Sequence, residues 1–205
     1  MATSFANSGL AFACKCGAVS GTLLRVGPDQ GDHVICHCTD CQFLARHLGH
    51  ATRVLDAHGG TALYQSRCAR VRIASGRDRL ACLHLTGKPT LRWYAACCGL
   101  PLFNSYANGK IPYITTQLAA CDPVARDRLV GPPLGHLFTP DGIGDTAQLP
   151  AMSMAALMRR FFPRMIKDIV SGDRRRCDLF DPATLLPIAT PRQLTAEERF
   201  AQRRR

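Results

Sequence analysis

The stretch VICHCTDCQF, residues 34–43, places Cys36, Cys38 and Cys41 within six residues. Thiols at that density form a disulfide set, a redox pair or a metal site. Residues i and i+2 of a strand project to the same face, so Cys36 and Cys38 on a strand present their sulfurs together. A turn at Thr39 and Asp40 into a helix over residues 41–50, CQFLARHLGH, brings in Cys41, with Asp40 or Thr39 as the N-cap. A redox Cys38/Cys41 pair leaves Cys36 without purpose, and no βαβ pattern surrounds it. His37 alternates away from the shared face, while His47 and His50 are supplementary donor candidates.

Two further groups lie on either side, CKCG at residues 14–17 and CCG at residues 97–99. Zinc–thiolate bonds of ~2.3 Å place ligand sulfurs roughly 3.8 Å apart, a separation that the Cys14/Cys16 pair meets on a strand. Gly17 and Gly99 follow cysteines directly and permit the tight turns that aim backbone N–H groups at thiolates. Cys97 and Cys98 are adjacent, and neighbours on a strand face opposite ways, so they share a metal only if the chain twists sharply before Gly99. Cys68, Cys82, Cys121 and Cys177 stand alone and read as buried apolar residues without a metal role. His33, His58, His84 and His136 read as structural or surface residues.

Around these groups run short segments broken by Gly/Pro turns: residues 18–26 (AVSGTLLRV), 33–38 (HVICHC), 69–75 (ARVRIAS), 79–85 (RLACLHL), 90–95 (TLRWYA), 101–106 (PLFNSY) and 111–118 (IPYITTQL). They predict a mainly β domain over residues 1–120. Residues 121–150, rich in Pro and Gly, read as a surface loop. Residues 151–205 read as a helical, basic extension. Apolar residues at 154, 158, 161, 162, 165, 166 and 169 recur at helical spacing, Gly172 suits the position after the helix end, and Pro163 should kink or split the helix. The stripe of Met154, Met158, Phe161, Met165 and Ile169 is expected to pack on its own domain or on a second copy of the chain, as a homodimer. The tail from Pro191 reads as frayed.

With 46% hydrophobic and 20% charged residues, the 205-residue chain belongs to the packed globular class and needs no disulfide staples. Eleven cysteines are an odd number, and the N-terminus MATSFANSGLAFAC lacks the basic and apolar regions of a secretion signal. These features predict a cytoplasmic protein with reduced thiols. The net charge is +11; residues 151–205 hold 12 Lys/Arg against 6 Asp/Glu, and residues 1–150 hold 14 against 9. A basic field suits an anionic ligand. Nucleic acid and membrane are disfavoured as partners, because the extension carries almost no lysine and no recognised motif, and no apolar run reaches the ~18 residues of a span.

The order Cys-x-Cys-Gly, Cys-x-Cys-x-x-Cys, then Cys-Gly shortly before PLF resembles the glutathione-dependent formaldehyde-activating enzyme family, which includes centromere protein V-like domains. The resemblance covers roughly residues 11–118 and implies a β-tent fold of small antiparallel sheets around two zinc sites. One is closed and structural, made by Cys14 and Cys16 with the late cysteines Cys97 and Cys98. The other is held by Cys36, Cys38 and Cys41 and keeps an open fourth position, the layout of a catalytic zinc. The implied activity is that of a carbon–sulfur lyase joining glutathione and formaldehyde as S-hydroxymethylglutathione, with Asp40 as a candidate proton relay. This chain departs from the family's late Cys-x-x-Cys-Gly motif: Ala95 stands at the first cysteine, Cys97 is adjacent to Cys98, and Leu100 replaces a small polar residue. The alternatives are a non-catalytic, zinc-stabilised interaction module and a basic binder of nucleic acid or membrane surfaces.

Overall fold

A computed structural model describes residues 9–203. It is mainly β, with two sheets. Strands β1 (Gly9–Ala13), β2 (Ser20–Leu24), β3 (Asp32–Cys36), β4 (Thr61–Arg67), β5 (Val71–Ser75), β6 (Leu80–His84), β7 (Thr90–Ala95), β8 (Pro101–Tyr106) and β9 (Tyr113–Gln117) match the expected segments except β1 and β4, which the alternation did not reveal. The smaller sheet is β1-β2-β5. The larger has eight strands, because β10 (His136–Leu137) and β11 (Arg192–Gln193) add parallel edges to give β10-β3-β4-β9-β8-β7-β6-β11. As expected, the sheets are built from antiparallel strands, with β10 and β11 as short parallel additions at the edges of the larger one.

The two faces of the large sheet differ. Trp93, Phe103, Thr116 and Tyr64 lie in register across β7, β8, β9 and β4 and face the core shared with the small sheet. Phe12 of β1 meets Phe103 edge-on at 5.1 Å there. The opposite face carries a polar row, Arg92, Asn104, Thr115, Gln65 and Asp32, paired in that order across five strands. All five are buried, which alternation alone would not reveal in a sheet covered on both sides.

The polar face is covered by α4 (Met154–Val170), which follows α1 (Thr39–His47), α2 (Ala51–Val54) and α3 (Pro123–Val130). Residues 121–150, expected as a loop, thus include α3, capped by the Asp122 side chain, and strand β10. Ser153 caps α4, Pro163 lies inside it without splitting it, and Gly172 takes the left-handed conformation just beyond its end. The predicted stripe is rotated. Leu157, Phe161 and Asp168 are buried, Met158 and Met165 partly so, while Met154 and Ile169 are exposed. The reason is electrostatic. Asp32, fully buried, takes Arg160 at 2.6 Å and Arg164, and Asp168, also fully buried, pairs with Arg67, which holds Asp173 at 2.7 Å. A buried carboxylate needs its cation, so these pairs set the rotation of the helix.

Cys82 and Cys121 are buried as expected. Cys68 and Cys177 are not separate thiols: they form a disulfide with Cα atoms 5.3 Å apart, across 109 residues of sequence. That corrects the expectation of reduced, unpaired residues; a pair so distant leaves no mark in local spacing. The tail expected to be frayed from Pro191 instead contributes β11 and a helix, Ala196–Arg203. Arg204 and Arg205, and the first eight residues, lie outside the described residues. No helix among the described residues is long and apolar enough to cross a membrane.

Candidate metal centres

The structure gathers the seven candidate cysteines into two clusters. In the first, the sulfurs of Cys14, Cys16, Cys97 and Cys98 all lie within 4.8 Å of one another. Cys14 sits 3.5 Å from Cys16 and 3.7 Å from Cys97, and Cys16 lies 3.3 Å from Cys97. Strand β7 ends at Ala95, and residues 96–98 form a turn in which Cys98 N–H and Gly99 N–H both donate to the Ala95 carbonyl. The strand rule that separates neighbouring side chains therefore does not govern Cys97 and Cys98. Gly99 has φ +77° and a Cβ there would approach the Leu48 carbonyl oxygen to 3.0 Å, so glycine is required twice over. Val19 N–H donates to the Cys14 sulfur at 3.2 Å. Cys16 is held below the usual thiol range, first by the Ala18 backbone and then by Cys97 and Cys14, while the hydrogen bond with Cys16, followed by desolvation, pushes Cys97 up to about 12.

The second cluster is Cys36, Cys38 and Cys41, again within 4.8 Å, with Cys36 and Cys41 buried and 3.8 Å apart. Cys36 ends β3, Cys38 is itself the N-cap of α1, and Cys41 lies in the first turn. This corrects the expected N-cap, Asp40 or Thr39; neither caps, because the helix begins two residues earlier than residues 41–50 suggested. Cys41 is held well below the usual range by hydrogen bonds from Cys36 and Cys38 and by the Arg92 cation. Cys36 is pushed up by its bonds to Cys38 and Cys41 and by burial. For Cys38 the bond from Cys36 lowers the value, but Cys41 and burial outweigh it and raise it to about 11.

Arg92 Nη1 lies 3.8 Å from the Cys41 sulfur, and its Nη2 lies 3.7 Å from Asp40, which also meets Lys88 at 3.4 Å. Of this group Cys41 and Asp40 were singled out from the sequence, but Arg92 and Lys88 were not. The signal was present in the polar residues at alternate positions of TLRWYA, PLFNSY and YITTQ, but it reads as solvent exposure until both faces are known to be covered. Above the triplet lies a cavity of about 280 Å³, lined by Arg92, Lys88, Asp40, Asn104, Tyr113 and Thr115 among others.

The histidines stay out of both clusters. His37 is fully buried; its Nδ1 meets the His58 carbonyl at 3.0 Å and its Nε2 meets His136 Nδ1 at 2.9 Å. His50 Nε2 bonds the Cys98 carbonyl at 2.7 Å, supporting the turn and not ligating, and His47 stacks on Phe43. The donor sets fit metal ions: each cluster is thiol-only, with the sulfur separations a tetrahedral thiophilic ion requires. The first offers four donors and the second three.

No curated protein matches this chain. Among solved structures, a Rhodobacter sphaeroides protein determined by structural genomics is similar at 20% identity, over 60% of this chain and 96% of that one, with a TM-score of 0.40. The model of a family of unknown function, DUF6151, matches residues 7–185, and the chain belongs to that family.

Proposed function

We propose that the protein is a zinc-dependent enzyme of carbon–sulfur bond formation and cleavage, acting on adducts of a small thiol, such as glutathione, with an aldehyde. The observation that carries this reading is the three-thiol cluster at the wall of a cavity, beside a four-thiol cluster that needs no further ligand. Cys36, Cys38 and Cys41 would hold the zinc, and Cys14, Cys16, Cys97 and Cys98 a second, structural one. When bound at an open thiolate site, zinc supplies Lewis acidity and lowers the pKa of a thiol.

The chain's own residues do the rest. In the forward direction the thiol sulfur forms a bond to the aldehyde carbon, the carbonyl π pair moves to oxygen, and the thiol proton is balanced by the one that the product hydroxyl gains. Arg92 balances the charge of the thiolates, and Asp40 holds Arg92 in place. Lys88, exposed at the mouth, attracts an anionic thiol from solvent. The cavity is at the small end of ligand pockets, which run from ~300 Å³, so it fits the cysteinyl part of glutathione with the remainder outside.

The test is exchange of ¹³C-formaldehyde with glutathione, followed by NMR on zinc-loaded protein. Accelerated exchange that chelation and Cys38→Ser both abolish is expected. Exchange at the uncatalysed rate with both clusters loaded overturns the enzyme reading and leaves the clusters as struts of an interaction module.

A further inference from the structure

Arg92, the cation nearest the triplet, is committed to Cys41 and Asp40. Lys88 is shared with Asp40 at the rim. Deeper in the cavity wall lies a group of polar side chains. Asn104, 2% exposed, donates its Nδ2–H to Thr115 Oγ1 at 2.9 Å. Thr115 in turn interacts with the Tyr113 phenol, its neighbour two residues away on the same face of β9. Tyr113 lines the cavity together with Cys36, Cys38 and Cys41. Its ring is clamped by Phe161 of α4, edge-on at 5.3 Å and 83°. Helix α4 and strand β9 thus place one phenol ring in the wall of the triplet's cavity.

We infer that Tyr113 is a catalytic residue: its O–H donates a hydrogen bond to the substrate oxygen that becomes negative as the carbon–sulfur bond forms, with Thr115 and Asn104 as its positioning residues. The ligand class is an aldehyde, or its thiol adduct, with an oxygen on the reacting carbon. Sulfur–carbon bond formation moves the carbonyl pair onto that oxygen. Water then supplies the proton of the product hydroxyl, matching the proton that the thiol releases. Burial pushes the Tyr113 phenol up to about 12, so it remains a donor at neutral pH. A phenol is also a better oxyanion donor than the threonine hydroxyls beside it, being far more acidic. Preorganised donors of this kind are worth ~10²–10³ in kcat.

This inference rests on the proposed carbon–sulfur chemistry, and Tyr113→Phe tests it, because that change keeps the ring against Phe161 and removes only the O–H. Zinc content and melting temperature should match the wild type, with KM for glutathione within about twofold and kcat lower by ~100-fold. A second readout is independent of turnover: formate, a one-carbon oxyanion, should bind the zinc-loaded variant about tenfold more weakly by calorimetry, as expected for loss of one hydrogen bond to a charged group. Thr115→Val should fall between the two proteins. If the wild type does not turn over, the proposed reaction fails and the formate comparison still judges Tyr113. If formate affinity and kcat are both unchanged in Tyr113→Phe, the inference is overturned.

Discussion

The two cysteine clusters use the same donor atom but differ in burial and in the length of chain they join. The four-cysteine cluster joins parts of the chain more than 80 residues apart, and two of its members, Cys16 and Cys97, are exposed. The triplet joins only residues 36–41, yet it is the more buried of the two and lies against a cavity. A crosslink between distant residues removes much chain entropy from the unfolded state, whereas one across six residues removes little. A closed donor set leaves no room for a reactant, and a three-donor set does. Under the proposed function, donor number and loop span therefore mark the triplet as the reacting cluster, and location on the surface does not.

Breaking each cluster in turn gives the largest effect. Metal binding and folding are coupled where the ligands come from separate parts of the chain. Cys98→Ser should lower the melting temperature by on the order of 10 °C, since each kcal/mol shifts a chain of this size by about 2–4 °C. Cys38→Ser should leave a folded protein that has lost one zinc and its formaldehyde exchange. Melting curves, zinc counts and the exchange measurement on both variants decide the matter. Equal unfolding by the two substitutions would show that both clusters are structural.

That contrast was partly legible in the sequence. The three cysteine groups follow from spacing, but their shared strand faces do not: β1 ends at Ala13 and β3 at Cys36, so turns bring Cys16 to Cys14 and Cys38 to Cys36. Gly17 and Gly99 do adopt the left-handed conformation that tight turns require. The placing of Cys97 beside Cys98 was harder, because the end of β7 at Ala95 decides whether they follow strand geometry, and strand ends are set by tertiary hydrogen bonds such as Ala95 N–H to the Leu100 carbonyl. The triplet's surroundings could not be read. Arg92 reaches Cys41 from 51 residues away, and Tyr113 and Asn104 join it only through strand register. The face of α4 was misjudged for a related reason: apolar periodicity ranks Met154 and Ile169 above Asp168, but a buried carboxylate that finds Arg67 anchors a helix more firmly than a solvent-facing methionine does.

A sharper form of the comparison removes charge and leaves the sulfurs alone. Three thiolates and a divalent ion carry a net negative charge, and burying it without a partner is costly. Arg92 supplies that partner for the triplet, with the Cys41, Cys38 and Asp40 charges raising its own pKa against the effect of burial. Arg92→Met should weaken zinc binding at the triplet by about tenfold to a hundredfold, equivalent to ~1.4–2.7 kcal/mol, and leave the four-cysteine cluster unchanged. Arg92→Lys should recover part of the loss, because it restores charge but not the two-pronged contact with Cys41 and Asp40. Chelator competition, with the two zinc ions resolved by their release rates, measures both. Equal release from the two clusters in Arg92→Met would separate the arginine from the metal.

The smallest effect distinguishes two glycines of the four-cysteine cluster. Gly17 and Gly99 have nearly the same backbone, φ +78° and +77°, but different surroundings. A Cβ at Gly17 meets nothing within 4 Å, so Gly17→Ala carries only the cost of a left-handed alanine, about 1 kcal/mol. At Gly99 the same Cβ would come within 3.0 Å of the Leu48 carbonyl oxygen and 3.6 Å of His50 Nε2. The backbone at Leu48 cannot yield without disturbing the end of α1, and His50 is the residue that steadies the Cys98 carbonyl. Gly99→Ala should therefore cost about 2 kcal/mol or more, the left-handed penalty plus overpacking. It should also loosen zinc at the four-cysteine cluster, which Gly17→Ala should not. Urea denaturation of the two variants with zinc present gives the energies, and the order matters more than the values. If Gly17→Ala proves the more damaging, the turn after Cys16 is the stricter of the two, and the contact with Leu48 does not hold the late cysteines in place.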